Sequence, residues 1–364
     1  MNKRKINLRI PGPTPLPREV RKAVSQQMIN HRGKSYEEIQ QRVIKNLQYF
    51  FQTENEIFLL TCSGMGGLEA VIVNFFSQGD KLVFFTCGEF GNRFAEIGRR
   101  FGGNVIQTKF ELGKAVSKNK VSEVLKENPD VKGVFFTHNE TATGVLNPIA
   151  ELTPLIKNHK NKPLIIVDSI SALGAVSLPM DDLGIDVVVT ASQKAWMAPP
   201  GLCMMAVSKK AWSYIDSSDL PKYYFDLRMY HDFNLKNQTP ATPAVSTILG
   251  LDESLKMMRK EGKEKIFQRH IDFRNYLRKE LWKIHLRPYV AEEIASPTVT
   301  SIEVPPGVDF HKWLEIMNKK YGVILAGGMG ETKGKIIRVA HMGYVNKQDL
   351  EQVIDAIKGS LKEY

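Results

Sequence analysis

The sequence predicts an α/β fold, in which a mainly parallel seven-stranded sheet fills a large domain and a smaller α+β domain follows it. From about residue 56, short runs of β-branched and aromatic residues alternate with helical stretches, and these runs are apolar along nearly their whole length. Beyond about residue 245, a long stretch with helical periodicity precedes short strand-like runs. The 43% hydrophobic and 24% charged residues over 364 positions agree with a globular chain.

Seven runs are expected to form the large sheet, and helical segments separate the first five. The connection between the last two runs, which contains the sequence Pro199-Pro200-Gly201, is too short for a helical crossover, so one of this pair is expected to be antiparallel. The runs are EIFLLTC from Glu56, KLVFFTC from Lys81, NVIQTKF from Asn104, VKGVFFTHN from Val131, PLIIVDSI from Pro163, IDVVVTAS from Ile185 and GLCMMAVS from Gly201.

The chain is expected to have three parts. Residues 1–20 contain IPGPTPLP, whose prolines exclude a helix, and should form an extended arm. Residues 21–245 should form the large domain. Residues 246–364 should form the small domain, with a helix break near Gly262 and a last helix capped by Asn346.

The chain is basic, with 50 Lys and Arg against 39 Asp and Glu. The positive charges are scattered and no cluster alternates with stacking aromatic residues, so we expect anionic small molecules rather than nucleic acid as partners. No window has the ~18 apolar residues of a membrane span. Cys62, Cys87 and Cys203 form no CxxC pair, which, with the lack of an apolar leader, favours a reducing, cytoplasmic location.

Residues that can do chemistry lie at the ends of three of the predicted strands, where the functional groups of parallel sheets collect. Ser63, Gly64 and Met65 begin the loop SGMGG, whose glycines and helix-start N–H groups favour a phosphate, although a plain tight turn is an alternative. Asp168 ends an apolar strand and is either a helix cap, a metal ligand or the counter-charge of a cationic ring nitrogen. No nearby His or carboxylate offers further ligands, so no metal is expected.

Two basic residues complete this set. Lys194 follows an apolar strand and is either a surface lysine or an amine that desolvation makes nucleophilic. Arg338, within a strand of the second domain, is either an ion-paired residue or a bidentate clamp for a carboxylate. A phosphate cradle, an acid for a ring nitrogen and a lysine amine are together what pyridoxal phosphate requires of a protein.

The order of these features, a glycine loop, then Asp168, then Lys194 26 positions later, resembles that of the fold-type I aminotransferases. Within them the chain is similar to class V, in particular to the alanine–glyoxylate and serine–pyruvate branch, which includes chains labelled soluble hydrogenase small subunit. The resemblance covers nearly the whole chain, and the string SQKAWMAPPG is specific. It rests on PGPTPLP, SGMGGLEA, THNETATGV, VDSISALGA, ASQKAWMAPPGL, PKYYFDL, ATPAV and GKIIRVAHMG.

The resemblance implies roles at the cofactor ring. Lys194 would be the catalytic residue and would hold pyridoxal 5'-phosphate as an internal aldimine. Asp168 would pair with the pyridine nitrogen. Phe90 would stack on the ring, and Thr141 would lie close to its polar edge.

The resemblance also implies contacts to the phosphate group. Ser63, Gly64 and Met65 would contact it through backbone or hydroxyl groups, with help from Gln193. Thr242 looks like the family's phosphate contact that reaches in from a second subunit, which implies a homodimer with shared active sites.

The substrate would be held by Arg338, which would bind its α-carboxylate, while the backbone near Gly12 closes over it. The chain departs from the family at three positions. Phe90 replaces the Trp of some relatives and Met65 replaces His, while Thr239 stands where some relatives supply Tyr from the partner subunit. The last two changes remove side-chain contacts to the cofactor.

The implied reaction moves the amino group of alanine or serine to glyoxylate or pyruvate. No second arginine lies in a matching motif to receive a distal carboxylate, although Arg32 and Arg228 remain open for that role. Alternatives are another class-V enzyme with a different donor, such as aminoethylphosphonate or phosphoserine, or a non-enzymatic hydrogenase-associated subunit. Cysteine desulfuration is not expected, since Cys203 is the last cysteine, and the glycine loop does not match a nicotinamide dehydrogenase.

Overall fold

The computed structural model describes residues 6–364, so the first five residues of the predicted arm lie outside the described residues. Fourteen strands lie within the described part of the chain. They are β1 (Asn7–Leu8), β2 (Glu56–Leu60), β3 (Lys81–Thr86), β4 (Asn104–Lys109), β5 (Gly133–Thr137), β6 (Asn139–Glu140), β7 (Val145–Leu146), β8 (Leu164–Asp168), β9 (Val187–Ala191), β10 (Cys203–Val207), β11 (Val299–Glu303), β12 (Val323–Ile324), β13 (Ala326–Gly327) and β14 (Ile336–Ala340).

Thirteen α-helices connect these strands within residues 6–364. They are α1 (Arg18–Val24), α2 (Lys34–Phe51), α3 (Gly64–Phe75), α4 (Glu89–Arg100), α5 (Lys118–Glu127), α6 (Ile149–Lys157), α7 (Met180–Leu183), α8 (Lys209–Ile215), α9 (Leu227–Asn234), α10 (Val245–Glu261), α11 (Lys263–Lys283), α12 (Phe310–Tyr321) and α13 (Lys347–Leu361). None of them combines the length and the apolar character that crossing a membrane requires.

The large sheet has seven strands in the order β2-β10-β9-β8-β5-β3-β4, and each expected run supplies one of them. The predicted mainly parallel sheet is therefore confirmed. β10 is the antiparallel strand, since it pairs in that sense with both β9 and β2. Only residues 192–202 connect β9 to β10, and this is shorter than the crossover of a dozen or more residues that a parallel neighbour would require.

The strands of this sheet are apolar along their length because helices cover both faces. In β5, Val134 and Phe136 pack into one hydrophobic cluster with α2, α5, α6 and α10. Phe135 points to the opposite face and packs with α3 and α4 against the Phe84 ring, 4.0 Å away between centroids. Because both faces are covered, polar functional residues are left to the strand ends, and the parallel pairing brings the carboxyl ends of these strands to one edge of the sheet.

The C-terminal part contains the sheet β11-β14-β13, packed against α11, α12 and α13. The helix break is confirmed at Gly262, which separates α10 from α11 at φ +88°, and the Asn346 side chain caps α13 as predicted. The N-terminal segment runs extended through β1, parallel to β12, and α1 begins at Arg18. The division at residues 1–20, 21–245 and 246–364 stays a prediction.

Candidate active site

A cavity of about 180 Å³ lies at the carboxyl end of β8, next to the start of α3. It brings together eight of the residues singled out in the sequence, contributed by five separate segments of the chain. The lining residues are Ser63, Gly64, Met65, Leu68, Phe90, Asn139, Thr141, Asp168, Ile170, Ser171, Gln193 and Lys194.

Asp168 and Lys194 form the charged centre of this cavity. Asp168 is the last residue of β8, and Lys194 is the third residue after β9, so adjacent parallel strands deliver both to one edge. Burial raises the pKa of Asp168 to about 6, while the Ile170 N–H, 2.9 Å from Oδ1, and the Lys194 charge oppose this shift. A further positive group next to this carboxylate would favour its charged form and offset the effect of burial.

Burial lowers the pKa of Lys194 to about 8, the Asp168 charge opposes this shift, and the Arg338 charge adds to it. A lysine with such a pKa supplies a neutral amine near physiological pH, which is the reactive form. Its Nζ donates a hydrogen bond to the carbonyl of Pro11 in the N-terminal segment. Lys194 is therefore a partly buried residue of the cavity wall rather than a surface lysine.

The N-terminal segment passes directly over Lys194. Gly12 has φ +111°, and a Cβ at this position would lie 2.8 Å from both Cδ and Nζ of Lys194. Thr14 holds the other side of the loop, because its Oγ1 donates to the Lys194 carbonyl at 2.9 Å and its N–H to the Gln193 carbonyl at 3.0 Å. Only a residue without a side chain allows this close approach.

The N-terminus of α3 forms one end of the cavity. Ser63 is the N-cap residue, but its side chain makes no capping hydrogen bond, so its hydroxyl is free for a ligand. A Cβ at Gly64 would lie 2.5 Å from Ile170 Cδ1, and one at Gly67 would lie 2.1 Å from Cys203 Sγ. The glycines thus let the helix start press against the sheet, where its free N–H groups favour an anion.

Phe90 and Thr141 line the cavity from two further segments. Phe90, half-buried, lies in the first turn of α4, and the Arg93 guanidinium lies 5.5 Å from its ring centroid. Thr141 is buried and follows β6. The aromatic ring and the small polar side chain suit a planar ligand with a polar edge.

Arg338 lies beside the cavity rather than in its wall. It is in the middle of β14, where Nε donates to the Gly327 carbonyl at 2.8 Å and Nη1 to the Thr141 carbonyl at 2.9 Å. Burial lowers its pKa to about 10, and the charge of Glu140 opposes this shift. Within residues 6–364 no carboxylate forms an ion pair with Arg338, so a buried cation is left for an acidic ligand.

Thr242 does not reach the cavity of its own chain. It is exposed in the connection between α9 and α10, so the predicted contact with a partner's cofactor stays a prediction. The nearby Thr239 is buried, and its Oγ1 donates to the Ala241 carbonyl at 2.7 Å.

Sequence reasoning missed Glu140 and Asn139. Glu140 is wholly buried, and its carboxylate accepts hydrogen bonds from three backbone N–H groups. Asn139 lines the cavity. The signal was present in HNE, a run of three polar residues directly after the apolar strand β5.

Two buried acceptor atoms among residues 6–364 belong to lining residues and lack a donor, Gln193 Oε1 and Asn139 Oδ1. Within the same part of the chain, no three His, Cys, Asp or Glu side chains gather as a metal ion would need. The cavity thus combines an anion cradle, a buried acid, a reactive amine and unused acceptors. This set fits pyridoxal phosphate.

The fold and this cavity define a class of enzyme that transfers amino groups. The chain belongs to the aminotransferase class-V family, whose sequence model matches residues 6–353. The family and its fold are dependent on pyridoxal phosphate. The expected class-V resemblance and the fold-type I architecture are therefore both confirmed.

Three known proteins illustrate the similarity. The chain is 39% identical to the soluble hydrogenase 42 kDa subunit of Anabaena cylindrica, over 99% of this chain and 94% of that protein. It is 33% identical to L-aspartate–glyoxylate aminotransferase of Paracoccus denitrificans, over 92% of this chain and 85% of that protein. The crystal structure of alanine–glyoxylate aminotransferase from Nostoc sp. matches with a TM-score of 0.94 at 26% identity, over 99% of this chain and 96% of that one.

Proposed function

We propose that this aminotransferase moves the amino group of a small amino acid, alanine or serine, to a small 2-oxo acid, glyoxylate or pyruvate. The observation that carries the proposal is the placement of Lys194, Asp168 and the α3 N-terminus around one cavity, with Arg338 beside it. These groups suit a reaction that needs a reactive amine, a partner for a cationic ring nitrogen, an anion cradle and a cation for a substrate carboxylate.

Lys194 is proposed as the catalytic residue. When bound, pyridoxal phosphate supplies an electron sink for the charge that develops at the substrate α-carbon. Lys194 Nζ, with its lowered pKa, holds and returns the proton at that carbon. Asp168 keeps a negative charge opposite the ring nitrogen and so favours its protonated form.

The remaining cavity residues orient the cofactor. Ser63, Gly64 and Met65 at the start of α3, together with Gln193, hold the phosphate through free N–H groups and polar side chains. These assignments are supported by the fit of the cavity.

Phe90 is proposed to stack on the ring, and Thr141 to contact its polar edge. Arg338 is proposed to bind the substrate α-carboxylate. Two of its five N–H donors are held by backbone carbonyls, and the fixed guanidinium leaves the others for a bidentate contact. Gly12 closes the site from above Lys194.

The preference for small substrates is supported by where the other candidate arginines are engaged. Arg32 donates to the carbonyls of Thr239 and Pro240, at 2.5 and 3.0 Å. Arg228 is paired with Asp226 at 2.9 Å on the surface. Lys194 is the one cation among the described residues that line the cavity. Neither Arg32 nor Arg228 is therefore available to pair with the distal carboxylate of a dicarboxylic substrate.

The test is a panel of donors and acceptors compared by kcat/KM. Alanine, serine, aspartate, glutamate, aminoethylphosphonate and phosphoserine are each paired with glyoxylate, pyruvate and 2-oxoglutarate. We expect alanine or serine with glyoxylate or pyruvate to have the highest values. A glutamate/2-oxoglutarate pair that is better by more than tenfold would refute the substrate assignment, and a phosphonate or phosphoserine donor would favour those alternatives.

Thr242 supports a further part of the proposal, a homodimer in which this exposed residue contacts the phosphate in the other subunit. A cytoplasmic location likewise stays a prediction.

The name of the Anabaena relative raises the alternative of a non-enzymatic hydrogenase-associated subunit. A scaffold has no need for a buried lysine and carboxylate in one cavity, which are costly to desolvate, so we favour the enzyme. Binding to a hydrogenase with no transamination of any donor would support the alternative.

A further inference from the structure

Glu140 is a buried acid for which the proposed chemistry has no direct use. It ends β6, directly before Thr141, and its side chain is 0% exposed. A carboxylate in such a place is costly unless its oxygens are satisfied, so the groups that surround it indicate what it does.

The first group is the start of α4. Glu140 Oε2 accepts hydrogen bonds from the N–H groups of Phe90 and Gly91, at 3.0 and 3.2 Å. These belong to the first turn of the helix, whose N–H groups have no partner within the helix itself. Gly88 makes room for the contact, because a Cβ there would lie 2.5 Å from Glu140 Cγ. A carboxylate from a distant segment therefore fixes the turn that carries the Phe90 ring.

The second group is the segment that anchors Arg338. Glu140 Oε1 accepts from the Ala142 N–H at 2.9 Å, which fixes the turn around Thr141. The Thr141 carbonyl in turn accepts from Arg338 Nη1 at 2.9 Å. The charge of Glu140 also favours the cationic form of Arg338, which has no ion pair within residues 6–364. One side chain thus connects two walls of the site.

We propose that Glu140 is a positioning residue that holds Phe90 against the cofactor ring and Arg338 in place for the substrate carboxylate. The inference rests on the proposed function. It predicts that the two oxygens of Glu140 are needed because three N–H donors converge on them, and that its charge is needed because it offsets the charge of Arg338. Burial raises the pKa of Glu140 to about 7, and the three N–H donors oppose this shift.

Two substitutions separate these requirements. Glu140→Gln keeps one accepting oxygen, but the NH₂ group that replaces the other oxygen faces a backbone N–H, so two donors oppose each other. The substitution also removes the negative charge near Arg338. We expect weaker cofactor binding and a KM raised about tenfold for both substrates, the factor of one hydrogen bond to a charged group, with kcat changed less. Glu140→Asp keeps the charge but is shorter by one methylene, so cofactor affinity should fall more than substrate KM rises.

The matched control is Asp186→Asn. Asp186 is also a buried acid, and it accepts from the Ile165 N–H at 2.9 Å, but it lies at the opposite end of β8 and β9. Cofactor affinity is measured by absorbance titration of the apoprotein with pyridoxal phosphate, alongside thermal stability and steady-state KM and kcat. The control should lose stability without a change in cofactor affinity or KM.

The inference is overturned if cofactor affinity and both KM values stay within twofold of wild type in Glu140→Gln, or change equally in Asp186→Asn. If Glu140→Gln fails to fold, unchanged cofactor affinity in Glu140→Asp overturns it as well. A wild-type protein that binds no pyridoxal phosphate and transfers no amino group would refute the proposed function, and this inference with it.

Discussion

The close approach of Gly12 to Lys194 predicts that a side chain at position 12 slows the reaction by displacing Lys194, beyond the backbone strain that any side chain at a positive φ introduces. In Gly12→Ala, the new Cβ would lie 2.8 Å from Lys194 Cδ and Nζ. Carbon contacts are normally ~3.5–4.0 Å, so the lysine must move by about 1 Å. A displacement of about 1 Å in a reacting group costs roughly 10²-fold in rate. We therefore expect kcat/KM to fall about 100-fold.

Gly79→Ala is the matched control. Gly79 also has positive φ, +81°, but nothing lies within 4 Å of an added Cβ. Both variants carry backbone strain of about 1–3 kcal/mol, which should lower Tm in each. Only Gly12→Ala should slow transamination and the borohydride-dependent attachment of pyridoxal phosphate to Lys194. If kcat/KM of Gly12→Ala stays within twofold of that of Gly79→Ala, the arm does not constrain Lys194 and the reasoning is wrong.

Three further predictions concern the charged groups and the partner subunit. The pKa of Lys194 is lowered to about 8, so its amine loses its proton as pH rises through that value. Cofactor capture by the apoprotein should therefore accelerate with pH, with a midpoint near pH 8, and level off above it. Asp168→Asn removes the charge that raises the pKa of Lys194, so the pH midpoint of the capture rate, followed by stopped-flow absorbance, should move to lower pH. A wild-type midpoint near the ordinary lysine value of 10.5 would contradict the desolvation of Lys194. Arg338→Lys should raise KM for donor and acceptor about tenfold, since an ammonium does not reproduce two parallel hydrogen bonds, and unchanged KM values would exclude the clamp. If Thr242 acts across a homodimer, a mixed dimer of a Lys194→Ala subunit and a Thr242→Ala subunit has one site with both residues intact. Mixing the two variants should therefore raise activity and cofactor affinity above those of either variant alone. A fully active monomer in sedimentation would refute the shared site.

The fold could be predicted where local pattern and burial agree. The seven strands of the large sheet were predicted because burial on both faces makes each strand apolar throughout. The reversal of β10 follows from a connection too short for a helical crossover, and the break at Gly262 follows from a residue that tolerates φ +88°. Each of these features depends on residues close together in sequence.

The site was less predictable because its contacts join distant segments. The Glu140 carboxylate is satisfied by Phe90 and Gly91, some fifty positions earlier in the chain, and no local pattern encodes that pairing. The clamp role of Arg338 is a prediction from resemblance, whereas its anchor on the Thr141 carbonyl, 197 positions away, appears only in three dimensions. Residue type and strand ends therefore located the cavity, while the supporting contacts required the fold.

The most direct test of the central claim is the identity of the residue that carries the cofactor. The purified protein is loaded with pyridoxal phosphate, reduced with borohydride, digested and analysed by mass spectrometry, in parallel with Lys194→Ala. We predict that the wild-type protein is yellow, loses this colour on reduction and carries the cofactor on the peptide that contains Lys194, and that the variant carries none and transfers no amino group. Attachment at another lysine, or transamination by Lys194→Ala at the wild-type rate, would contradict the account.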